Sequence, residues 1–470
     1  MSDELFSNLQ SAVLNGEASL ARQLTERSLS AGLSPEQVLE DGLVPAMAEA
    51  GQRFENREFF LPNLLLSARA MKEALKLLRP LLAARSVDSS GRVVIGTVAG
   101  DLHDIGKNIV AAMLEGGGFD VIDLGYDVAP SVFVDAVREH SPDVVALSAL
   151  LTTSVPVMEK VVVTLEQADL RDKVRVLAGG APITEKGAMD IGADAYAPTG
   201  PAAVGVARQL LSGDIAPFAA SSRPRTATPP GVSEPVRDDT TGADEVFLQS
   251  SRTPIPDEVT PRELVKQAIE FKSPSRLPRQ IWLLPWASSR HPEAVAEIER
   301  DFPSDIVTIP IFCSEPVPGQ GNAHTVGTFV DAWGCEFENL QDGIIGEVKR
   351  PQILDWDNTH HVRFPRERLT IDKDQIASFC RNTDRYVIAG TCPRPFERLQ
   401  FLRGTENLYL DLGRPTSAFR DFLGSLHDFY LEELNLWAAT EVDALMFMDE
   451  WGSQQALLIS PELWRELFKP

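Results

Sequence analysis

The sequence predicts an α/β protein built in sections: a helical bundle, a doubly wound parallel sheet and, beyond a linker, a second α/β region. Three features point that way. Residues 1 to about 86 hold only helix-period patterns, while from Gly91 to about Leu211 short β-branched runs alternate with amphipathic stretches. Residues 213–262 are rich in Pro, Ser, Thr and Asp and have no period at all.

Composition narrows the class. The chain has 470 residues, 43% hydrophobic and 24% charged, ordinary for a globular protein of two to four domains. Lys and Arg total 44 against 68 Asp and Glu, a net charge of −24 that repels phosphate backbones and anionic membranes, so nucleic acid is not expected as a partner. No apolar run approaches about 18 residues, and MSDELFSNLQ lacks the grading of a signal peptide. A cytoplasmic protein without a membrane anchor is therefore expected. The four cysteines, Cys313, Cys335, Cys380 and Cys392, form no C-x-x-C pair and read as reduced thiols.

In the first section (residues 1–86) one helix is expected over 3–28. Ser34-Pro35-Glu36-Gln37 carries a capping box with proline at the first helical position, followed by Leu39, Leu43 and Met47 on one face. A further helix starts near Leu61-Pro62 with Leu65, Ala68, Leu75 and Leu78 as its stripe, giving a bundle of about four helices. Phe54, Phe59, Phe60 and Met71 read as bundle core rather than ligand contacts.

In the second section (residues 91–212) strands are expected at Val93–Val98, Phe119–Leu124, Asp143–Ser148, Val174–Ala178 and Ala193–Tyr196. Helices fit 106–115, 131–139, 154–168, 183–189 and 201–211. Single helices between strands imply parallel pairing. The linker, treated as a flexible coil, would span roughly 35–40 Å. Past it, residues 263–470 return to mixed α/β: strands at Ile281–Leu284, Asp305–Ile311, Tyr386–Ala389 and Ala444–Met448, and helices near 292–301, 393–403, 415–438 and 461–468.

Ligands of open parallel sheets sit beyond the carboxyl ends of the strands, where strand order reverses. The unusual residues of the second section fall at such ends. Gly100-Asp101-Leu102-His103-Asp104-Ile105-Gly106 follows the first strand, Ser148-Ala149-Leu150 ends the third, and Gly179-Gly180 ends the fourth. In a flavodoxin-like order, 2-1-3-4-5, these loops share one rim. Taken singly, a loop His, a strand-end Ser and a Gly-Gly turn are commonplace; their joint placement is not.

The spacing Asp101-x-His103-x-x-Gly106, then 41 residues to Ser148-x-Leu150, then 28 to Gly179-Gly180, resembles the cobalamin-binding domains of methionine synthase and the corrinoid methyl-carrier proteins. The preceding bundle is similar to the helical cap of those proteins. The resemblance implies a Rossmann-like cobalamin-binding domain in which His103 replaces the corrin's own benzimidazole as axial ligand of cobalt. Asp101 would accept the other imidazole N–H, and Ser154, six residues after Ser148, would extend that relay. Ser148, Leu150, Thr152, Asp104, Ile105, Gly106, Gly179 and Gly180 would complete the cofactor site. It further implies a methyl carrier serving a small methyl donor and a thiol or folate acceptor, with a reductive activating protein as partner.

Two rival readings of the same loop fail on the residues. An HD-type phosphohydrolase needs a histidine upstream of His103, and none occurs; a dinucleotide fold needs G-x-G-x-x-G after the first strand, and that loop lacks it.

Beyond the linker, residues 261–278, Asp331–Glu338, Arg398–Asn407 and Phe447–Gly452 resemble the uroporphyrinogen-decarboxylase-like family, which includes corrinoid methyltransferases. The resemblance implies a (β/α) TIM-barrel-like domain and a corrinoid-dependent methyltransferase fused to its own carrier. A full barrel takes about 250 residues, whereas 208 follow Arg262, so a partial barrel is expected. The family's zinc-binding His-x-Cys is absent, and zinc is expected only if the chain continues past Pro470. Asp449, at a strand end, is the candidate for positioning substrate. His360-His361 reads as an exposed turn, and Cys335 and Cys392 as packed thiols. The alternative function is a cobalamin-binding sensor or carrier without catalysis; a radical mutase would need a complete barrel.

Overall fold

The computed structural model describes residues 2–84, 90–103, 105–215, 218, 259–452 and 457–469. Most of the expected linker lies outside them. None of the described helices is long and apolar enough to cross a membrane.

The bundle comprises Ser2–Leu14, Ala18–Ser30, a helical run over 35–55, and Leu61–Ala84. The single helix expected over 3–28 is two, because Gly16 turns left-handed at φ +66° and lies against Leu66, where a Cβ would meet the Leu66 Cβ at 2.5 Å. The capping box forms as read: Ser34 Oγ accepts from Gln37 N–H at 3.2 Å while Gln37 Oε1 accepts from Ser34 N–H at 3.0 Å. The run then widens into a π-helical stretch over Val38–Leu43, with Val44 N–H bonding Leu39 O. Pro45 has no N–H to continue an α-helical ladder there. Leu9, Val13, Leu43, Met47, Leu64, Met71 and Leu78 form the bundle core, with Phe54 and Phe59 packed at its margin.

Five strands make the central sheet: β1 Arg92–Thr97, β2 Asp120–Asp123, β3 Val144–Ser148, β4 Arg175–Gly179 and β5 Ala195–Ala197. Their order is β2-β1-β3-β4-β5, with every pair parallel. From Val93 to Thr97 every residue of β1 is buried, as both faces are covered by helices. The chain leaves β1 for β2 on one side and returns to β3 on the other, so strand order reverses between β1 and β3. Thr97 stands opposite Ser148, and Ser148 opposite Gly179, so the three strand ends lie level in adjacent positions.

The second α/β region departs from the expected barrel. The described residues form a two-stranded parallel pair, β6 Ile306–Thr308 with β10 Tyr386–Ile388, and an antiparallel sheet of β7 Gly327–Val330, β8 Glu336–Asn339 and β9 Glu347–Val348. The strand expected at Ile281–Leu284 does not form. Pro278 and Pro285 bracket it, and Trp282 and Leu284 stay 61% and 65% exposed with no layer to bury them. The strand expected over Asp305–Ile311 stops before Pro310, which has no N–H to donate. That expected at Ala444–Met448 contracts to one bridge between Ile388 and Ala444. With both edges of the β6–β10 pair outside any closed ladder, no barrel closes among the described residues.

Helices Pro395–Arg403, Thr405–Gly413 and Ser417–Ala438 supply this region's core together with Trp333, Phe337 and Trp356. That core also takes in Leu61 and Leu65 of the bundle, and Leu61 N–H bonds Leu458 O at 3.1 Å. The second half is therefore packed on the first, and one of its strands reaches the rim of the parallel sheet.

Candidate functional site

The rim at the β1/β3 reversal is organised by one carboxylate. Asp101 is fully buried at the end of the loop that leaves β1. Its Oδ1 lies 2.7 Å from His103 Nδ1 and accepts from His103 N–H at 3.1 Å. Its Oδ2 accepts from Leu150 N–H at 2.6 Å and Leu151 N–H at 3.0 Å, with Ser154 Oγ at 2.9 Å. Ser154 Oγ is also 2.8 Å from Leu151 O, so its single proton has two acceptors. Burial alone would raise the Asp101 pKa, but the bonds from His103, Leu151 and Leu150 outweigh it and hold the carboxyl well below the ordinary range.

These bonds clasp the β1 loop to the β3 loop. Thr97 Oγ1 donates to His103 O at 3.0 Å and pins the loop from the strand side. The β4 loop closes in behind. Gly180 has φ +121°, and a Cβ there would lie 1.9 Å from Ala149 O, so only glycine lets the two backbones approach.

The His103 imidazole is thus anchored at Nδ1 while its Nε2 points away from Asp101, 3.2 Å from Glu347 Oε1 on β9. Burial would depress its pKa; the bond to Asp101 and the charge of Glu347 prevail and raise it above the ordinary value. Lys349, just past β9, donates to Leu102 O at 2.5 Å and pairs with Glu347 at 2.7 Å. Its ammonium sits 3.8 Å from the centroid of the Tyr126 ring.

The structure therefore brings together Asp101, His103, Ser154 and the backbone of Leu150, with Ser148 and Gly179 level on neighbouring strands. Leu150 is 46% exposed at the rim. Gly106 stands in the first turn of the helix that Ile105 opens, with no atom within 4 Å of a Cβ built on it. Thr152 is exposed on the β3 loop, outside the Asp101 hydrogen bonds. Asp104 lies outside the described residues.

Asp449 is elsewhere. Its two oxygens accept from Phe396 N–H at 2.6 Å and Glu397 N–H at 2.9 Å, which closes the start of helix Pro395–Arg403. Burial pushes its pKa up to about 6 despite those bonds. His361 Nε2–H donates to Gln352 O at 2.9 Å. Among the described residues no cluster of His, Cys, Asp or Glu could hold a metal ion.

Sequence reasoning missed three neighbours of the site. Lys107 is buried and reaches back to the end of β2, with Nζ 2.7 and 2.5 Å from the two Asp123 oxygens. A lysine directly after Gly106, with an acid ending the second strand, was the available signal. Glu347 and Lys349 carried none, being more than 200 residues away in the chain.

The models of two B12 binding domains match this chain, one over residues 5–79 and the other over 91–207. Trimethylamine corrinoid protein 1 of Methanosarcina acetivorans is 38% identical over 211 residues, 44% of this chain and 98% of that protein. Dimethylamine corrinoid protein 1 of the same organism is 39% identical over 45% of this chain and 99% of its own length. Among solved structures, the methanol:cobalamin methyltransferase complex MtaBC of Methanosarcina barkeri matches 45% of this chain and 81% of that one, at 28% identity and TM-score 0.41. With two curated relatives matched over nearly their whole length, and both B12 models falling on the bundle and the parallel sheet, the chain belongs to the corrinoid proteins and binds cobalamin.

Proposed function

We propose that this chain is the methyl carrier of a corrinoid-dependent methyltransferase, with cobalamin held base-off through His103 and the second half acting as the methyltransferase partner in cis. The relatives named for trimethylamine and dimethylamine support methyl transfer, and the fusion of a second α/β region supports transfer within one polypeptide. The donor would be a small methylated molecule and the acceptor a thiol or folate, with a reductive activating protein as further partner. Zinc belongs to this reading only if the chain continues past Pro470.

The residues suit the cofactor. A neutral imidazole is a good nitrogen donor to cobalt, and His103 has one ring nitrogen fixed to a buried carboxylate and the other directed away from it toward the rim, where Glu347 faces it at 3.2 Å. The helix beside it carries Gly106 in its first turn, where a side chain would have free space and none is present. Bound there, the corrinoid supplies a cobalt centre able to take a methyl group from one molecule and give it to another.

The rest is the work of this chain's side chains. Asp101 selects the tautomer by accepting from Nδ1–H, which leaves the Nε2 lone pair for a metal. A proton shared between His103 Nδ1 and Asp101 Oδ1, with Ser154 Oγ behind it, can be held or released as the imidazole binds or leaves. The clasp from Leu150 and Leu151 keeps Asp101 dry and ionised. Ser148, Leu150, Thr152, Asp104, Ile105, Gly106, Gly179 and Gly180 line the cofactor's path on this reading, and Asp449 positions the methyl donor.

The carrying observation is the 2.7 Å contact between His103 Nδ1 and Asp101 Oδ1 at the strand-order reversal. The test is reconstitution with methylcobalamin in the dark, followed by thiol or tetrahydrofolate. Transfer of the methyl group supports the reading; release only under light contradicts it and favours a sensor.

A further inference from the structure

The rim carries a second set of contacts that cofactor binding alone does not explain. β9 belongs to the second half of the chain, yet it ends on the β1 loop. Glu347 Oε1 stands 3.2 Å from His103 Nε2, and Lys349 binds Leu102 O at 2.5 Å and covers the Tyr126 ring at 3.8 Å. The pair is presented by a built hairpin rather than by loose side chains. Asn339, 2% exposed, donates to Ala323 O and Thr325 O, each at 3.0 Å. Its Oδ1 accepts from Gly346 N–H at 2.6 Å, one residue before Glu347. β8 pairs with β9 through Glu338 opposite Glu347 and Phe337 opposite Val348, and Phe337 is anchored in the core of the second half.

We infer that β9 is an intramolecular gate on the corrinoid site: when the hairpin is docked, Glu347 occupies His103 Nε2, so seating of the cofactor and docking of β9 exclude each other. This rests on the reading that His103 holds cobalt. A ring nitrogen facing a carboxylate oxygen at 3.2 Å has no room for a metal on the same side. Lys349 makes the contact bidentate in effect, since its bond to Leu102 O holds the hairpin one residue from His103. The gate consumes part of the cofactor's affinity, because binding to a site that is open only a fraction of the time weakens by that fraction. It also couples the two halves. A loaded carrier releases β9, which frees the face of the second half that had been held against the rim.

The experiment is rapid mixing of aquocobalamin with the full apo chain, followed by its visible spectrum, for wild type, Glu347→Gln, the double variant Glu347→Ala/Lys349→Ala, and Arg350→Ala. Arg350 is adjacent but points to solvent, 86% exposed at its side chain. In the wild type the observed rate should level off at high aquocobalamin, because opening becomes limiting. The double variant should raise that plateau and tighten apparent affinity roughly tenfold, with Glu347→Gln, which keeps the volume, moving the same way by less and Arg350→Ala matching wild type. A wild-type rate that climbs linearly with concentration, together with equal or weaker binding by both Glu347 variants, would overturn the gate. The underlying reading fails differently: aquocobalamin would bind with the same spectrum in wild type and His103→Ala, and the gate would fall with it.

Discussion

Asp101 and His103, two residues apart on one loop, meet through two bonds to the same oxygen: ring Nδ1 at 2.7 Å and backbone N–H at 3.1 Å. The second bond shapes the loop so that the first is possible. The other Asp101 oxygen faces three donors of the β3 loop, so a single carboxylate sets both the imidazole and the junction between two strands.

Replacing that carboxylate separates its roles. Asp101→Asn keeps the shape but loses one acceptor, and loss of such a partner typically costs about 10–100-fold in metal affinity. Titration of the apo chain with aquocobalamin should register that loss. Asp101→Ala should also destabilise the fold by about 1–3 kcal/mol, since the part-buried Leu150 and Leu151 N–H groups lose their acceptor; thermal unfolding reads it.

Gly180→Ala tests the backbone approach behind the site. The added carbon would stand 1.9 Å from Ala149 O at φ +121°, so the β3 and β4 loops must part. A loss of about 1–3 kcal/mol in denaturant unfolding is expected, accompanied by weaker cobalamin binding. Gly106→Ala, where a Cβ meets nothing within 4 Å, should leave apo stability nearly unchanged.

Two carboxylates of the second half give opposite pH dependences. Asp305 accepts from both Arg276 terminal nitrogens at 2.6 Å and from Arg279 N–H at 2.7 Å; burial would raise its pKa, but these bonds lower it. Its contribution to stability is in place above an unfolded pKa of about 3.9 and disappears as pH falls through the lower folded value. Asp449 is raised to about 6, so the stability it contributes is full below about 3.9 and is lost as pH climbs to about 6. Melting temperature measured from pH 3 to 7 should lose its acid slope in Asp305→Asn and its decline between about 4 and 6 in Asp449→Asn.

The first half was legible because its signals are local. Each strand expected in residues 91–197 forms within a residue or two of its expected bounds, and the inner strands β1 and β3 are apolar because both their faces are buried. Asp101, His103 and Ser154 were legible by spacing. The resemblance also implied the His103–Asp101 bond and the place of Ser154 behind it, whereas the bonds from Leu150 and Leu151 N–H to Asp101 left no trace, since they depend on two loops meeting across a crossover. The second half was harder. Its apolar run at 281–284 looks like a strand, yet it finds no paired neighbour, and the β7–β9 sheet is held by Asn339 and Gly346, which leave no periodic trace. Gly16 was readable in principle, as Asn15-Gly16 is a turn signal inside what otherwise reads as one long helix.

The most direct measurement is electron paramagnetic resonance of the cobalt(II) form in protein grown with 15N-labelled histidine. Coordination by His103 predicts that the threefold nitrogen splitting of the unlabelled sample becomes twofold. A threefold pattern that survives labelling would come from the benzimidazole of the cofactor and would contradict axial ligation by this chain.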